Sequence, residues 1–362
     1  MNLTEDKVGL GSVRALWFRF WRRMFWASMR GSARRGDDFV TFHSRPKRAR
    51  DTGTWPDPGT GDAETAVVMQ GPIAELEDFT LETLRLYRRH FPRTHLILST
   101  WDDTPETLLA PIRALGVDVL LGPKPAVPGL YNINLQVVSA ARGIEHAGRR
   151  GARWVLKTRT DQRMYSPQAL RFLVATALAF PVTGGFRQRH RIVGVGHGTL
   201  KYAPYHLTDQ TVFGHVDDMT VYWNPPPHDG RLPAHWPPTT GEIFAQVPIG
   251  EQCRHGASET YLASQFLARV GRELTWTLED SWEAFRDNFC VVDRETSVDF
   301  YWVKVQSHTF LESLTRYGPI SNRRELTFGE WLPIYTGRTP CASARAFEQT
   351  LRGTWESAVP EA

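Results

Sequence analysis

Ala66-Val67-Val68-Met69-Gln70-Gly71-Pro72 is a short apolar run halted by a glycine and a proline. It predicts a buried strand that enters a sharp turn. Beyond it, Asp78 offers an N-cap, and Leu81, Leu84, Tyr87 and Phe91 recur at helical spacing, so a helix is expected to run to about His90 before Pro92. Leu96 to Ser99 reads as a second strand, Pro105 to Leu115 as a helix capped by Gly116, and Val117 to Leu121 as a third strand. Asn134 to Ala147 predicts a further helix and Trp154 to Lys157 a fourth strand. Strands alternating with helices imply an α/β fold, a mostly parallel sheet with helices on both faces.

In such sheets ligands bind at the carboxyl ends of the strands. Polar residues collect there: Gln70 after the first strand, Thr100 to Asp103 after the second, and Lys157 to Arg163 after the fourth. That placement predicts a nucleotide site. No GxGxxG and no Walker A sequence occurs, which disfavours a dinucleotide oxidoreductase and a P-loop kinase. Strand alternation puts Lys157, Arg159 and Asp161 on one side while the chain stays extended. Two cations and an acid there suit a pyrophosphate; a salt-bridged strand end is the competing reading.

The 362 residues hold 41% hydrophobic and 23% charged residues, which excludes wholesale disorder. No run of about 18 apolar residues occurs, so no spanning helix is expected. MNLTEDK, without an apolar block behind it, does not read as a secretory signal. Cys253, Cys290 and Cys341 lie far apart and suggest neither a disulfide framework nor a zinc site.

Charge is uneven along the chain. Residues 1–50 carry 12 Lys/Arg against 4 Asp/Glu, and the remainder carries 31 against 35. On a helix over residues 12–30, Leu16, Trp17, Phe20, Trp21, Met24 and Ala27 share one face, and Arg19, Arg22, Arg23 and Arg30 another. That pattern suits an anionic membrane surface, or a helix docked on the protein's own core. Nucleic acid is disfavoured, because the aromatics stand apart from most of the arginines. Residues 36–63, rich in Gly, Pro, Asp and Arg, read as a linker.

In the second half, Ile192 to Tyr202 and Thr211 to Gly214 read as strands. Residues 224–241, with six prolines, read as a long loop in which His228 and His235 are expected to face solvent, with metal ligation as the alternative. Ser258 opens a helix with Glu259 in its first turn, where the carboxylate either stabilises the helix dipole or serves as a catalytic base; Asp209 is the rival base. Asn132, Asn134 and Gln136 are expected to face a donor molecule, with helix capping as the alternative. Trp276, Trp282 and Trp302 read as core, and Phe347 to Trp355 as a terminal helix.

Val68-Met69-Gln70-Gly71-Pro72-Ile73, Leu98-Ser99-Thr100-Trp101, Asn132-Ile133-Asn134-Leu135-Gln136 and Leu156-Lys157-Thr158-Arg159-Thr160-Asp161-Gln162-Arg163 occur in that order. Together they resemble the WavE lipopolysaccharide synthesis family, closely over residues 66–165 and more loosely to about Lys304. The resemblance implies a GT-A type fold and a hexosyltransferase-like glycosyltransferase. It would move a sugar from a nucleotide-sugar donor to a glycan or lipid-linked acceptor, at the cytoplasmic face of the membrane. A catalytically silent binding or scaffold protein of the same fold is the alternative. Gln70, Gly71, Thr100, Trp101, Asn132, Asn134, Gln136, Lys157, Arg159 and Arg163 would hold the donor, and Glu259, Asp209 and Arg159 would act in catalysis. Lys157 to Arg163 would stand where GT-A enzymes keep a DxD motif. Here Arg159 replaces the first acid, so Asp161 is the one local metal ligand, and the need for Mg²⁺ or Mn²⁺ is open, with Asp293 and His308 as distant candidates. The expected organisation is an arm (1–35), a linker (36–63), a nucleotide-sugar half (64–205), an acceptor half of the same domain (206–335) and a C-terminal tail (336–362).

Overall fold

The computed structural model describes residues 13–35, 46–52, 63–195, 198–239, 242–243, 246–294, 298–302 and 325–338. It divides into two units, Met1–Pro46 and Lys47–Ala362. In the first, helix α1 (Val13–Arg35) carries the arm. Trp17, Phe18, Phe20 and Trp21 are all more than half exposed on it.

The second unit is built on a seven-stranded sheet. Its strands are β1 (Thr65–Gln70), β2 (His95–Trp101), β3 (Asp118–Gly122), β4 (Trp154–Arg159), β6 (Ile192–Val195), β7 (Val212–His215) and β8 (Phe289–Val292). They lie in the order β3-β2-β1-β4-β7-β6-β8. β1 pairs in parallel with β2 and β4, β2 with β3, and β6 with β8. β7 alone runs against both its neighbours, β4 and β6. The expected mostly parallel α/β sheet is thus present, and it runs without a break across the boundary expected at residue 205. Every residue of β1 is buried, as a strand covered on both faces requires. A small second sheet pairs β5 (Gln162–Met164) with β9 (Phe300–Trp302), antiparallel.

The connecting helices are α2 (Phe79–His90), α3 (Glu106–Arg113), α4 (Ile133–Arg149), α5 (Ala169–Ala179) and α6 (Val216–Tyr222). Then follow α7 (Ile249–Gly256), α8 (Ser258–Val270), α9 (Leu278–Asp287) and α10 (Phe328–Tyr335). On α4 the buried residues Ile133, Val137, Ala140, Ile144 and Ala147 recur at helical spacing and form the apolar stripe. The helix lies so close to β1 that a Cβ on Gly143 would come within 2.3 Å of Val68 Cγ1. The helix itself is therefore fixed against the strand that ends in Gln70.

Three expectations change. Asp78 stands at the start of α2 but makes no side-chain cap; it has φ +54° and accepts instead from Arg48 Nη1 at 2.9 Å. Strand β6 stops at Val195 rather than reaching Tyr202. Residues 47–52, read as linker, pack on α2. Ala49 is buried, its N–H donates to Glu82 Oε2 at 2.6 Å, and Arg89 donates to the carbonyls of Ala49 and Thr52. The proline-rich stretch 224–239 holds no regular element, as expected. The helix expected at Phe347 to Trp355, together with Cys341 and His308, lies outside the described residues.

Candidate active site

The carboxyl ends of β1, β2 and β4 open onto a cavity of about 630 Å³. β1 brings Gln70 and Gly71 to it, β2 brings Trp101, and the end of β4 with the turn beyond it brings Arg159, Thr160 and Asp161. The start of α4 adds Asn132 and Gln136, the lead-in to β7 adds Asp209, and α8 adds Ser258. Eight of the residues singled out from sequence therefore meet around one space, at the sheet edge where such folds bind ligands.

A line of hydrogen bonds fixes one wall. Ser139 Oγ donates to Gln70 Oε1 at 2.8 Å, which orients that amide. Gln70 Nε2 then donates to Gln136 Oε1 at 3.4 Å, and Gln136 Nε2 to Asp209 Oδ2 at 2.6 Å. Asp209 is thus held by a side chain from the first turn of α4. At the turn after β1, Gly71 has φ +116°, and a Cβ there would stand 3.2 Å from Thr160 Oγ1. Glycine is required both by that conformation and by the close approach of the β4 end.

The end of β4, where Arg159 pairs with Gln70 of β1, carries the charge. Arg159 Nε and Nη2 donate to Asp161 Oδ1 and Oδ2 at 3.0 and 3.1 Å. Trp302 Nε1 also donates to Asp161 Oδ2, at 2.9 Å, and the guanidinium lies 5.5 Å from the Trp302 ring centroid. The pairing of β5 with β9 brings this indole across. Burial opposes the charge of Arg159, but Asp161, with Asp209 and Glu259 further off, outweighs it and raises its pKa.

Several expected residues stand elsewhere. Lys157 is fully buried, and its Nζ donates to the backbone carbonyls of Asp209 at 2.6 Å and Gln210 at 3.2 Å rather than lining the cavity. Arg163 is buried too. It donates to Thr83 Oγ1, the Phe79 carbonyl and Tyr165 Oη, and stacks on the Phe79 ring at 4.3 Å, so it fastens α2 to β5. Asn134 Nδ2 donates to the carbonyls of Val127 and His228, and its Oδ1 accepts from the His228 N–H, tying the proline-rich loop to α4. Thr100 is buried within β2, where its carbonyl accepts from Arg142.

Glu259 sits beside the cavity rather than on its lining. Its carboxyl lies among protein atoms although the side chain keeps 28% of its surface exposed. Burial first, and then the charge of Asp209, push its pKa up. His206 Nε2 is 3.8 Å away, but burial lowers the His206 pKa to about 4, so at neutral pH this is no ion pair. Of the two rival bases, Asp209 is the one that faces the open space.

Residues that sequence reasoning passed over include Tyr131 and Leu76, both exposed at the cavity mouth. Each precedes a residue with positive φ, Asn132 (+64°) and Glu77 (+56°), a signal that backbone strain alone could have raised. Trp302, read as core, is buried there as expected and in addition donates to Asp161.

A divalent ion held at the DxD position needs several oxygen ligands. Here both oxygens of Asp161 are engaged by Arg159 and Trp302. Asp293 Oδ1 accepts from the Phe328 N–H at 3.0 Å at the start of α10. Among the described residues, no group of three His, Cys, Asp or Glu is placed to hold a metal ion. The residues in place therefore do not fit a divalent ion at this position.

No curated protein matches the chain. Solved structures similar to it include glucosyl-3-phosphoglycerate synthase from Mycobacterium tuberculosis, in complex with Mn²⁺, uridine diphosphate and phosphoglyceric acid. That match has 16% identity and a TM-score of 0.31, covering 62% of this chain and 88% of that one. The mannosyltransferase PcManGT from Pyrobaculum calidifontis, in complex with GDP-Man and Mn²⁺, is similar at 12% identity and a TM-score of 0.34, covering 94% and 92%. Mannose-1-phosphate geranyltransferase from Thermus thermophilus is similar at 19% identity and a TM-score of 0.25, covering 65% and 71%. A family described as WavE lipopolysaccharide synthesis matches residues 65–279. That span is more than half of the chain and takes in every residue named above as lining the cavity, and the chain belongs to this family.

Proposed function

We propose that this protein is a glycosyltransferase that moves a sugar from a nucleoside diphosphate sugar to a hydroxyl of a surface-glycan or lipid-linked acceptor. The observation that carries the reading is the convergence of Asp209 and Arg159 on one cavity at the carboxyl edge of the sheet. In a single displacement, the acceptor oxygen bonds to the anomeric carbon as the bond from that carbon to the phosphate oxygen breaks. The bonding pair leaves on the diphosphate, and the hydroxyl proton passes to Asp209. Arg159 meets the charge that develops on the leaving group, using N–H groups not given to Asp161. No step uses a metal. Membership of a lipopolysaccharide synthesis family supports a glycan acceptor.

The acceptor class accords with an anionic membrane as the place of action. On α1, Trp17, Phe18, Phe20, Trp21 and Met24 are exposed, and so are Arg19, Arg22 and Arg23. An exposed aromatic and basic helix suits the interface of anionic lipid on the cytoplasmic side. No helix among the described residues is long and apolar enough to cross a membrane. The full chain is expected to sediment with anionic liposomes and a chain starting at Lys47 is not; equal sedimentation of both refutes the role of the arm.

A thermal-shift screen with UDP-, GDP-, CMP- and ADP-linked sugars identifies the donor, since a ligand that binds the native state raises its apparent stability. Transfer or hydrolysis of that donor, lost in Asp209→Asn, is the expected result. Donor binding without turnover would instead identify a silent binding protein.

A further inference from the structure

The stretch Lys157 to Gln162 looks from sequence like one phosphate-binding cluster, but the structure divides it. Arg159 and Asp161 face the cavity. Lys157, Thr158 and Gln162 turn instead to the segment 209–211 that leads into β7. Lys157 Nζ donates to the carbonyls of Asp209 and Gln210. Thr158 Oγ1 lies 3.0 Å from Thr211 Oγ1, and Gln162 accepts from Thr211 Oγ1 at 3.0 Å and donates to Gln210 Oε1 at 3.0 Å. The Trp223 ring closes over the ammonium, with its centroid 4.2 Å from Nζ. All three bracing side chains are buried to within 1% of complete exclusion.

We propose that Lys157 is a positioning residue, which pins the main chain of Asp209 and Gln210 and thereby sets the Asp209 carboxylate at the cavity. The backbone of Asp209 is held from below by Lys157 and its side chain from the α4 side by Gln136. A carboxylate fixed at both ends has one orientation toward an acceptor, and small misplacements of a reacting group are costly. The two hydrogen bonds of the tether do not require the charge. Burial lowers the Lys157 pKa to about 7, and a neutral amine still has two N–H groups for two carbonyls.

The inference rests on Asp209 as the base of the proposed transfer, and its test separates the two. In the full chain, Lys157→Met is expected to lower kcat by about 10- to 100-fold, with donor affinity within twofold of wild type. Thr211→Val, a near-isosteric change, is expected to do the same to a smaller extent and covers the case in which Lys157→Met does not fold. In an Asp209→Asn background neither change is expected to lower the residual rate further, because both act through that carboxylate. Amide exchange over residues 207–212 is expected to speed up in both variants while β1 to β3 stay protected. Additive rate losses with Asp209→Asn, or unchanged exchange over 207–212, overturn the role of Lys157. A wild-type chain that transfers no sugar overturns the enzyme reading instead, and the exchange comparison still decides the tether.

Discussion

Arg159 clasps Asp161 side-on, with Nε on Oδ1 at 3.0 Å and Nη2 on Oδ2 at 3.1 Å. A charge-assisted bidentate pair of this kind is a strong one, and Trp302 adds a third hydrogen bond to the same carboxylate. A metal at Asp161 would compete with both partners for the same two oxygens, beside the positive charge of Arg159.

Transfer is therefore expected to persist in EDTA, and added Mn²⁺ to change it little. Arg159→Ala should lower turnover by about 100-fold or more while weakening donor binding much less, because its contribution grows as charge develops on the leaving group. Complete loss of turnover in EDTA with recovery in Mn²⁺ would refute this account.

Asp209→Asn is expected to cost about 10²- to 10⁴-fold in kcat, and Glu259→Gln far less, since Glu259 is not among the residues that line the cavity. Glu259 leaves a thermodynamic signature of its own. Its folded pKa is raised above the ordinary 4.5, so its contribution to stability is fully present below that value and is lost as pH rises through the folded pKa. Melting temperature followed against pH should show this loss in wild type and not in Glu259→Gln.

Asn134→Ala should behave as a structural change. Three hydrogen bonds, two donated by the Asn134 side chain and one accepted by it, join α4 to residues 127 and 228. Its removal is expected to cost about 1–3 kcal/mol of stability and to speed proteolysis within residues 225–238, with donor affinity unchanged. Weaker donor binding at unchanged stability would return Asn134 to the binding site.

A chain starting at Lys47 should melt like the full chain, whereas one starting at Gly61 loses the strap over α2 and about 2 kcal/mol. Burial tends to raise the Glu82 pKa, but the Ala49 N–H, Arg85 and Arg48 outweigh it and hold it below 4.5. That stabilisation is present above 4.5 and disappears as pH falls through the folded value. Calorimetry of both chains from pH 3 to 7 checks it, with the acid-range slope expected to shrink in the shorter one.

The left half of the sheet was readable because strands buried on both faces appear as unbroken apolar runs, as β1 does. The reversal of β7 was not. Val212 to His215 looks like any buried strand, and its direction is set by pairing with β4 and β6, which are remote in sequence. At the site, alternation correctly put Arg159 and Asp161 side by side. It misplaced Lys157, because what covers that side chain is the main chain of Asp209, some fifty residues away. Arg163, which the resemblance set among the donor-binding residues, lies elsewhere because the chain turns at Thr160-Asp161 and β5 joins another sheet. Asn134 was misread for a related reason: a carboxamide at a helix start looks the same whether it faces a ligand or a loop.

The strand order also dictates a schedule for biosynthesis. β4 is synthesised with β1 to pair on one side, but its other edge stays bare until Val212 to His215 have left the ribosome. At typical elongation rates that interval lasts on the order of seconds. An unpaired strand edge is a template for wrong partners during that time. Chaperone dependence should concentrate in this window, and products of premature termination between β4 and β7 should be the ones that precipitate. A nascent chain released before Trp302 would carry Arg159 and Asp161 without the indole that orients them.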